Sequence, residues 1–166
     1  DGTTTATGKL DLTDVDVNDK HTWTLGNGGK GEYGTLTVDN KGNWTYTLNN
    51  DSDKVQALKQ GETATDKITV TVDDGHGGTA TQTIVITITG TNDAAVITGN
   101  GAGTVKEDDT LTTGGKLNVT DKDAGEAVFN AQTNVKGEHG TFSIDKDGNW
   151  KYDLNNSDPK VQALGV

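Results

Sequence analysis

The feature that most constrains this chain is that it repeats itself. Gly31-Glu32-Tyr33-Gly34-Thr35-Leu36-Thr37-Val38-Asp39 returns as Gly137-Glu138-His139-Gly140-Thr141-Phe142-Ser143-Ile144-Asp145. Gly42-Asn43-Trp44-Thr45-Tyr46-Thr47-Leu48-Asn49-Asn50 returns as Gly148-Asn149-Trp150-Lys151-Tyr152-Asp153-Leu154-Asn155-Asn156, and Val55-Gln56-Ala57-Leu58 as Val161-Gln162-Ala163-Leu164. The offset is 106 residues throughout this stretch. Upstream, Gly8-Lys9-Leu10 matches Gly115-Lys116-Leu117 at an offset of 107, which implies one single-residue insertion or deletion. The 166 residues therefore hold about one and a half units of a tandem array, and every element can be read twice.

Within the unit, apolar residues alternate with polar ones, the period of a strand with one wet face. Leu36 and Val38 form one such set; Trp44, Tyr46 and Leu48 form a second. Ile68, Val70 and Val72 form a third, and Ile84, Ile86 and Ile88 alternate with Thr83, Val85 and Thr87 in the longest run. Threonine is abundant because a β-branched polar residue suits the solvent face of a strand. Asp39-Asn40-Lys41-Gly42-Asn43 reads as a hairpin turn with glycine supplying a positive φ, and Asp145 to Asn149 is its counterpart. Ser52 to Lys59 is the one short helical turn. Short strands without a long helical pattern predict an all-β, Ig-like sandwich of antiparallel strands. Leu, Ile, Val and Phe make up only about a fifth of the chain at a formal charge of −11, a composition that flags disorder. The ordered alternation argues against disorder and predicts a folded chain with a thin core.

The composition excludes several functions. All 14 basic residues are lysine against 25 acidic ones, so the electrostatic footprint of nucleic-acid binding is lacking. There is no cysteine, hence no disulfide frame or thiolate site. No apolar run approaches the roughly 20 residues of a membrane helix and no signal peptide opens the chain, so membrane insertion is not expected. A start at Asp1 rather than Met reads as a piece of something longer.

The run from Ile88 to Val96 reads as the last strand of one unit passing straight into the first of the next. On that phase the first unit is 1–93, with its opening strand missing, and the second is 94–166, with its C-terminal strands missing. A second phase, in which residues 94–106 pack back onto the first unit, stays open. If the cuts are real, strand exchange with another copy could complete the second unit.

Carboxylates cluster where strands end. Asp14-Val15-Asp16 and Asp121-Lys122-Asp123 occupy the same place in the two units; Asp73-Asp74-Gly75 follows the Ile68 strand; Asn92-Asp93 sits in the linker; Glu107-Asp108-Asp109 follows Val105. Hard oxygen donors converging from several loops suit Ca²⁺, which takes about 6–8 oxygens in flexible geometry. Asp at strand ends is also ordinary turn chemistry, but recurrence at one register favours the ion. Ca²⁺ would also offset the chain's self-repulsion.

These residues carry a resemblance. Val119 to Glu126 resembles the cadherin Asp-x-Asp segment, Val105 to Asp108 its first-strand Glu motif, Val72 to Gly75 its late Asp motif, and Thr91 to Ala94 its Asn-Asp linker. The order of the segments at 42–50, 55–58, 61–63 and 89–93 is similar to the VCBS repeats of large bacterial RTX-type adhesins. The resemblance implies a tandem cadherin-like β-sandwich. Its role would be that of a Ca²⁺-stiffened extender in a secreted adhesin, held extracellularly at the bacterial cell surface and acting in cell adhesion and biofilm. Its partners would be the neighbouring repeats of the same chain. Carried over residue by residue, Asn92, Asp93, Asp121 and Asp123 would serve the central junction. Asp14, Asp16 and one of Asp73 or Asp74 would serve the junction before the first unit, and Glu107 the one after the second. Gly90 and Ala94 depart from the cadherin linker, which implies fewer or weaker ions.

Other constellations are weaker. Asp145-Lys146-Asp147-Gly148 lacks the glutamate an EF-hand loop needs and reads as a turn. His21, His76 and His139 have no matching partners, and no catalytic set emerges, so an enzyme is not expected. Trp44 and Trp150 alternate in phase with Tyr46 and Tyr152 and are expected in the core, which leaves Trp23 as a surface aromatic. The alternative function is therefore a glycan- or protein-binding module centred on Trp23.

Overall fold

Residues that alternate in the sequence lie in antiparallel strands in both halves of the chain. The computed structural model describes residues 2–15 and 20–164, which form two units, Asp1–Asp93 and Ala94–Val166.

The first unit runs β1 (Thr5–Lys9), β2 (Thr22–Leu25), a 3₁₀ turn (Gly26–Gly29), β3 (Gly34–Val38), β4 (Asn43–Leu48), α1 (Asp53–Gln56), β5 (Thr63–Asp73) and β6 (Thr79–Thr89). Its strands form two sheets of three, ordered β1-β4-β3 and β2-β5-β6, with all pairings antiparallel. Leu36 and Tyr46 of one sheet join Ile68, Val70, Ile84, Ile86 and Ile88 of the other in a single buried cluster, with Trp44 half-buried against it. That is a β-sandwich core built from the predicted alternation. Trp23 differs from expectation. It is half-buried against the same cluster because it pairs with Val72 across β2 and β5, in the inward phase.

The hairpin turn before β4 is built by one carboxylate. Asp39 Oδ1 accepts from the backbone N–H of Lys41 (2.8 Å) and Asn43 (2.9 Å), and Gly42 takes φ 79°. The Asn43 side-chain amide donates to the other oxygen at 2.7 Å, and these bonds hold the Asp39 carboxyl below the usual carboxylate range. Asp145 repeats the arrangement with Asp147 and Asn149, and its carboxyl is lowered likewise, with the Asn149 side chain as the main cause.

The second unit runs β7 (Val96–Gly99), β8 (Thr112–Thr120), β9 (Gln132–Lys136), β10 (Gly140–Ile144), β11 (Asn149–Leu154) and α2 (Pro159–Gln162) in one five-stranded sheet ordered β7-β8-β11-β10-β9. The β10–β11 register, Gly140↔Leu154 to Ile144↔Trp150, repeats the β3–β4 register, Gly34↔Leu48 to Val38↔Trp44. β6 and β7 are not one continuous run, as residues 90–95 between them are outside any strand. β7 pairs with β8, inside the second unit.

One equivalent segment folds differently in the two units. Asn27, Gly28 and Gly29 all take positive φ in the 3₁₀ turn, whereas among their counterparts in β9 only Asn134 does (φ 52°), at a register shift in the β9–β10 pairing, and Val135 pairs with Phe142. Valine cannot adopt the φ of 79° that Gly29 uses, and β-branched residues favour the extended form.

Candidate metal centre

The strand-end carboxylates of the first unit gather where β5 ends. Asp14 Oδ2 lies 2.9 Å from His21 Nε2. Asp14, His21 and Asp74 line one cleft of about 310 Å³ together with Val72 and Gly78. Asp73 closes β5 opposite Thr22. Both members of the Asp73-Asp74 pair are engaged in the turn that follows. Asp73 Oδ1 accepts from Gly75 N–H at 2.7 Å, and Asp74 Oδ1 accepts from His76 and Gly78 N–H at 2.7 and 2.9 Å. The His76 bond is the main reason the Asp74 carboxyl sits below its ordinary range, while the like charge of Asp14 pushes it upward. Asp16 lies outside the described residues.

At the end of β6 the linker residues make local bonds. Asn92 N–H donates to Gln60 Oε1 at 3.0 Å, and its side-chain amide donates to the Asp93 carbonyl at 2.5 Å. Asp93 is half-buried. The glycine at position 90 has a steric cause. A Cβ there would run into the carbonyl oxygens of Leu58 and Lys59, and Gly90 N–H donates to Glu62 O. The side chain expected first in a cadherin-type linker has no room.

In the second unit, Asp121 and Asp123 follow β8. Asp121 Oδ1 accepts from Asp123 N–H at 2.9 Å, and Asp123 is only 1% exposed. A carboxylate removed from water to that degree needs compensating charge or hydrogen bonds. Glu107 is half-buried before β8, beside Asp108, which exchanges hydrogen bonds with Asn156. Glu107 and the Asp121–Asp123 pair thus flank opposite ends of β8. The oxygen-only pair of Asp121 with Asp123 fits the chemistry of Ca²⁺ better than that of Zn²⁺, whereas the cleft of Asp14 and Asp74 also holds the His21 imidazole. Among the described residues, no group of three or more Asp, Glu or His side chains converges closely enough to hold an ion.

Sequence reasoning missed one buried carboxylate. Asp66 of β5 is 3% exposed and accepts from Glu32 N–H (2.7 Å), Tyr33 N–H (3.1 Å) and the Tyr46 hydroxyl (2.5 Å). Burial, together with this carboxylate, pushes the Tyr46 hydroxyl far above its ordinary pKa. The signal was available: Asp66 stands in the inward phase of the Ile68-Val70-Val72 alternation, where a charge is out of place unless it is bound.

Trp23 lines a second cleft, of about 340 Å³, with Leu10, Val72, Thr81 and Gln82. Among the described residues no helix is long and apolar enough to cross a membrane.

Comparison with known proteins gives one family. The family model described as "Bacterial cadherin-like domain" matches residues 1–90 and, a second time, residues 92–164. No curated protein matches.

Proposed function

The chain belongs to the bacterial cadherin-like domain family, and from that premise we propose that it is a Ca²⁺-stiffened extender of a secreted bacterial surface adhesin, in the manner of the VCBS repeats of RTX-type proteins. Domains of this family are extracellular surface and adhesion modules, are typically non-catalytic and generally bind Ca²⁺. The observation that carries the extender reading is the pair of family matches, which leave only residue 91 between them. Two domains of one family joined by so short a connection suit a spacer. The strand-end carboxylates would supply the stiffening, with Asn92, Asp93, Asp121 and Asp123 at the central junction. Asp14, Asp16, Asp73, Asp74 and Glu107 would serve outward-facing ones. An ion bridging carboxylates would replace like-charge repulsion by cross-linking. Neighbouring repeats of the same chain would be its partners.

Thermal unfolding in EDTA, then with CaCl₂ and with MgCl₂, tests this reading. A ligand that binds only the folded state raises Tm by linkage, so saturating Ca²⁺ should add several degrees that Mg²⁺ does not reproduce. Asp121→Ala should weaken Ca²⁺ binding at least tenfold while Asp51→Ala leaves it unchanged. Equal effects would remove the site assignment, and no Ca²⁺ shift at all would remove the stiffening.

The second reading, glycan binding, rests on the cleft that Trp23 lines together with the polar residues Thr81 and Gln82. Glycan-array binding lost in Trp23→Ala would favour it; a spacer should bind nothing.

A further inference from the structure

Where β6 ends, the main chain stays tied to the first unit. Gly90 N–H donates to Glu62 O at 2.8 Å and Gly61 N–H to Gly90 O at 3.0 Å, which carries the β5–β6 ladder one step beyond its last pair, Thr63↔Thr89. Two residues on, the Asn92 N–H donates to the side-chain Oε1 of Gln60 at 3.0 Å. The linker is therefore held at Gly90 and again at Asn92, with only Thr91 between them. All of the partners belong to one turn, residues 58–62, between α1 and β5.

That turn is itself firmly set. Leu58 is 8% exposed and lies in the apolar cluster of the first unit. Glu62 N–H donates to Lys59 O at 2.9 Å, and Glu62 Oε2 accepts from Lys59 N–H at 3.2 Å, so main chain and side chain both close it. Gly61 takes φ 77°, a left-handed value suited to the third residue of a tight turn. Gly90 shows how closely the two segments run, since a Cβ there would collide with the carbonyl oxygens of Leu58 and Lys59. Beyond the linker the picture changes. Ala94 and Ala95 are exposed, and among the described residues neither makes a backbone–backbone bond; pairing resumes with β7 at Val96↔Thr120.

We propose that residues 58–62 are a built-in brace that fixes the path of residues 90–92 with no ion present, with Gln60 as its positioning residue. Backbone freedom is then confined to Ala94 and Ala95. A three-residue stretch bonded at both ends, and packed too closely to admit a Cβ, has few other conformations to visit. The brace uses no carboxylate-bound cation, so it goes beyond the Ca²⁺ reading and does not rest on it. For a spacer, the consequence is a linker that keeps its path when Ca²⁺ is lost.

The test is ¹⁵N relaxation and amide hydrogen exchange of the intact chain in EDTA. Gly90, Thr91 and Asn92 should show order parameters near the value of about 0.85 for rigid backbone, with Ala94 and Ala95 below about 0.6. Asn92 should exchange at least fivefold more slowly than Ala94 after correction for sequence. Gln60→Ala should speed exchange at Asn92 about fivefold, as expected for loss of one neutral bond. Unchanged amides in β5 and β6 would report that the unit remains folded. Gln60→Glu keeps an acceptor oxygen at the same reach and should restore the slow exchange, a local loss and rescue that a general effect on stability would not give. The brace is overturned if Asn92 exchanges as fast as Ala94, or if Gln60→Ala leaves it unchanged. It is overturned also if Ala94 and Ala95 prove as ordered as residues 90–92. Order that appears only when CaCl₂ is added would make the ion the cause and overturn it too. Order complete in EDTA supports the brace whether or not Ca²⁺ raises Tm, so the two readings fail separately.

Discussion

The two units carry nearly the same β3–β4 and β10–β11 hairpins, yet one hairpin is buried and the other is not. In the first unit Leu36 is 1% exposed and Tyr46 2%. Their counterparts Phe142 and Tyr152 are only half-buried. Of the second hairpin's inward residues, Trp150 alone falls to 8%, because its indole N–H donates to Asn100 O at 2.7 Å and the chain around Gly103 lies over the ring. The difference teaches that register and burial have separate origins. Register comes from the turn and the pairing inside the hairpin, and it is the same in both units. Burial comes from a second sheet, and it is not.

That contrast can be broken by mutation. The largest effect is expected for Asp66→Ala, which strands one buried and two half-buried donors and should cost the first unit about 4 kcal/mol. Urea unfolding followed at signals of each unit should show the loss in the first and none in the second. Next, Leu36→Ala should cost about 3 kcal/mol and Phe142→Ala about 1, since a cavity penalty applies only where the surroundings are closed. Equal losses would mean that Phe142 is as well covered as Leu36. The smallest effect is one the two units should share. The Asp39 and Asp145 carboxyls are held below the ordinary aspartate value of about 3.8 by their Asn43 and Asn149 hydrogen bonds, so each contributes stability that is present above about pH 3.8 and disappears as pH falls through the lower folded value. Acid titration of Asp39→Ala and Asp145→Ala should flatten the stability profile below pH 4 to the same degree in each unit. A loss confined to one turn would break the equivalence.

Much of the fold was legible because it is local. The offset of 106 residues announced about one and a half units of a tandem array, and the family matches at 1–90 and 92–164 bear out the cadherin-like reading. The Ile68 and Ile84 alternations became the inner faces of β5 and β6, and the helical turn at Ser52 appeared with that residue as its N-cap. Less of the site was legible. A pattern of aspartates gives the chemistry of a ligand set but not its convergence. Asp73 and Asp74 proved to be engaged in their own turn, while the buried Asp66 was passed over because its partners lie 20 to 34 residues away.

By itself the sequence determined strand positions, hairpin registers and turn types, since each depends on neighbours within about ten residues: glycine where φ is positive, aspartate where backbone N–H groups need capping, alternation where one face is dry. Only the tertiary structure decided that Trp23 faces inward, that Gly90 excludes a ligand side chain and that Asp66 is held by the Glu32 and Tyr33 amides and the Tyr46 hydroxyl. These depend on strands remote in the chain meeting face to face.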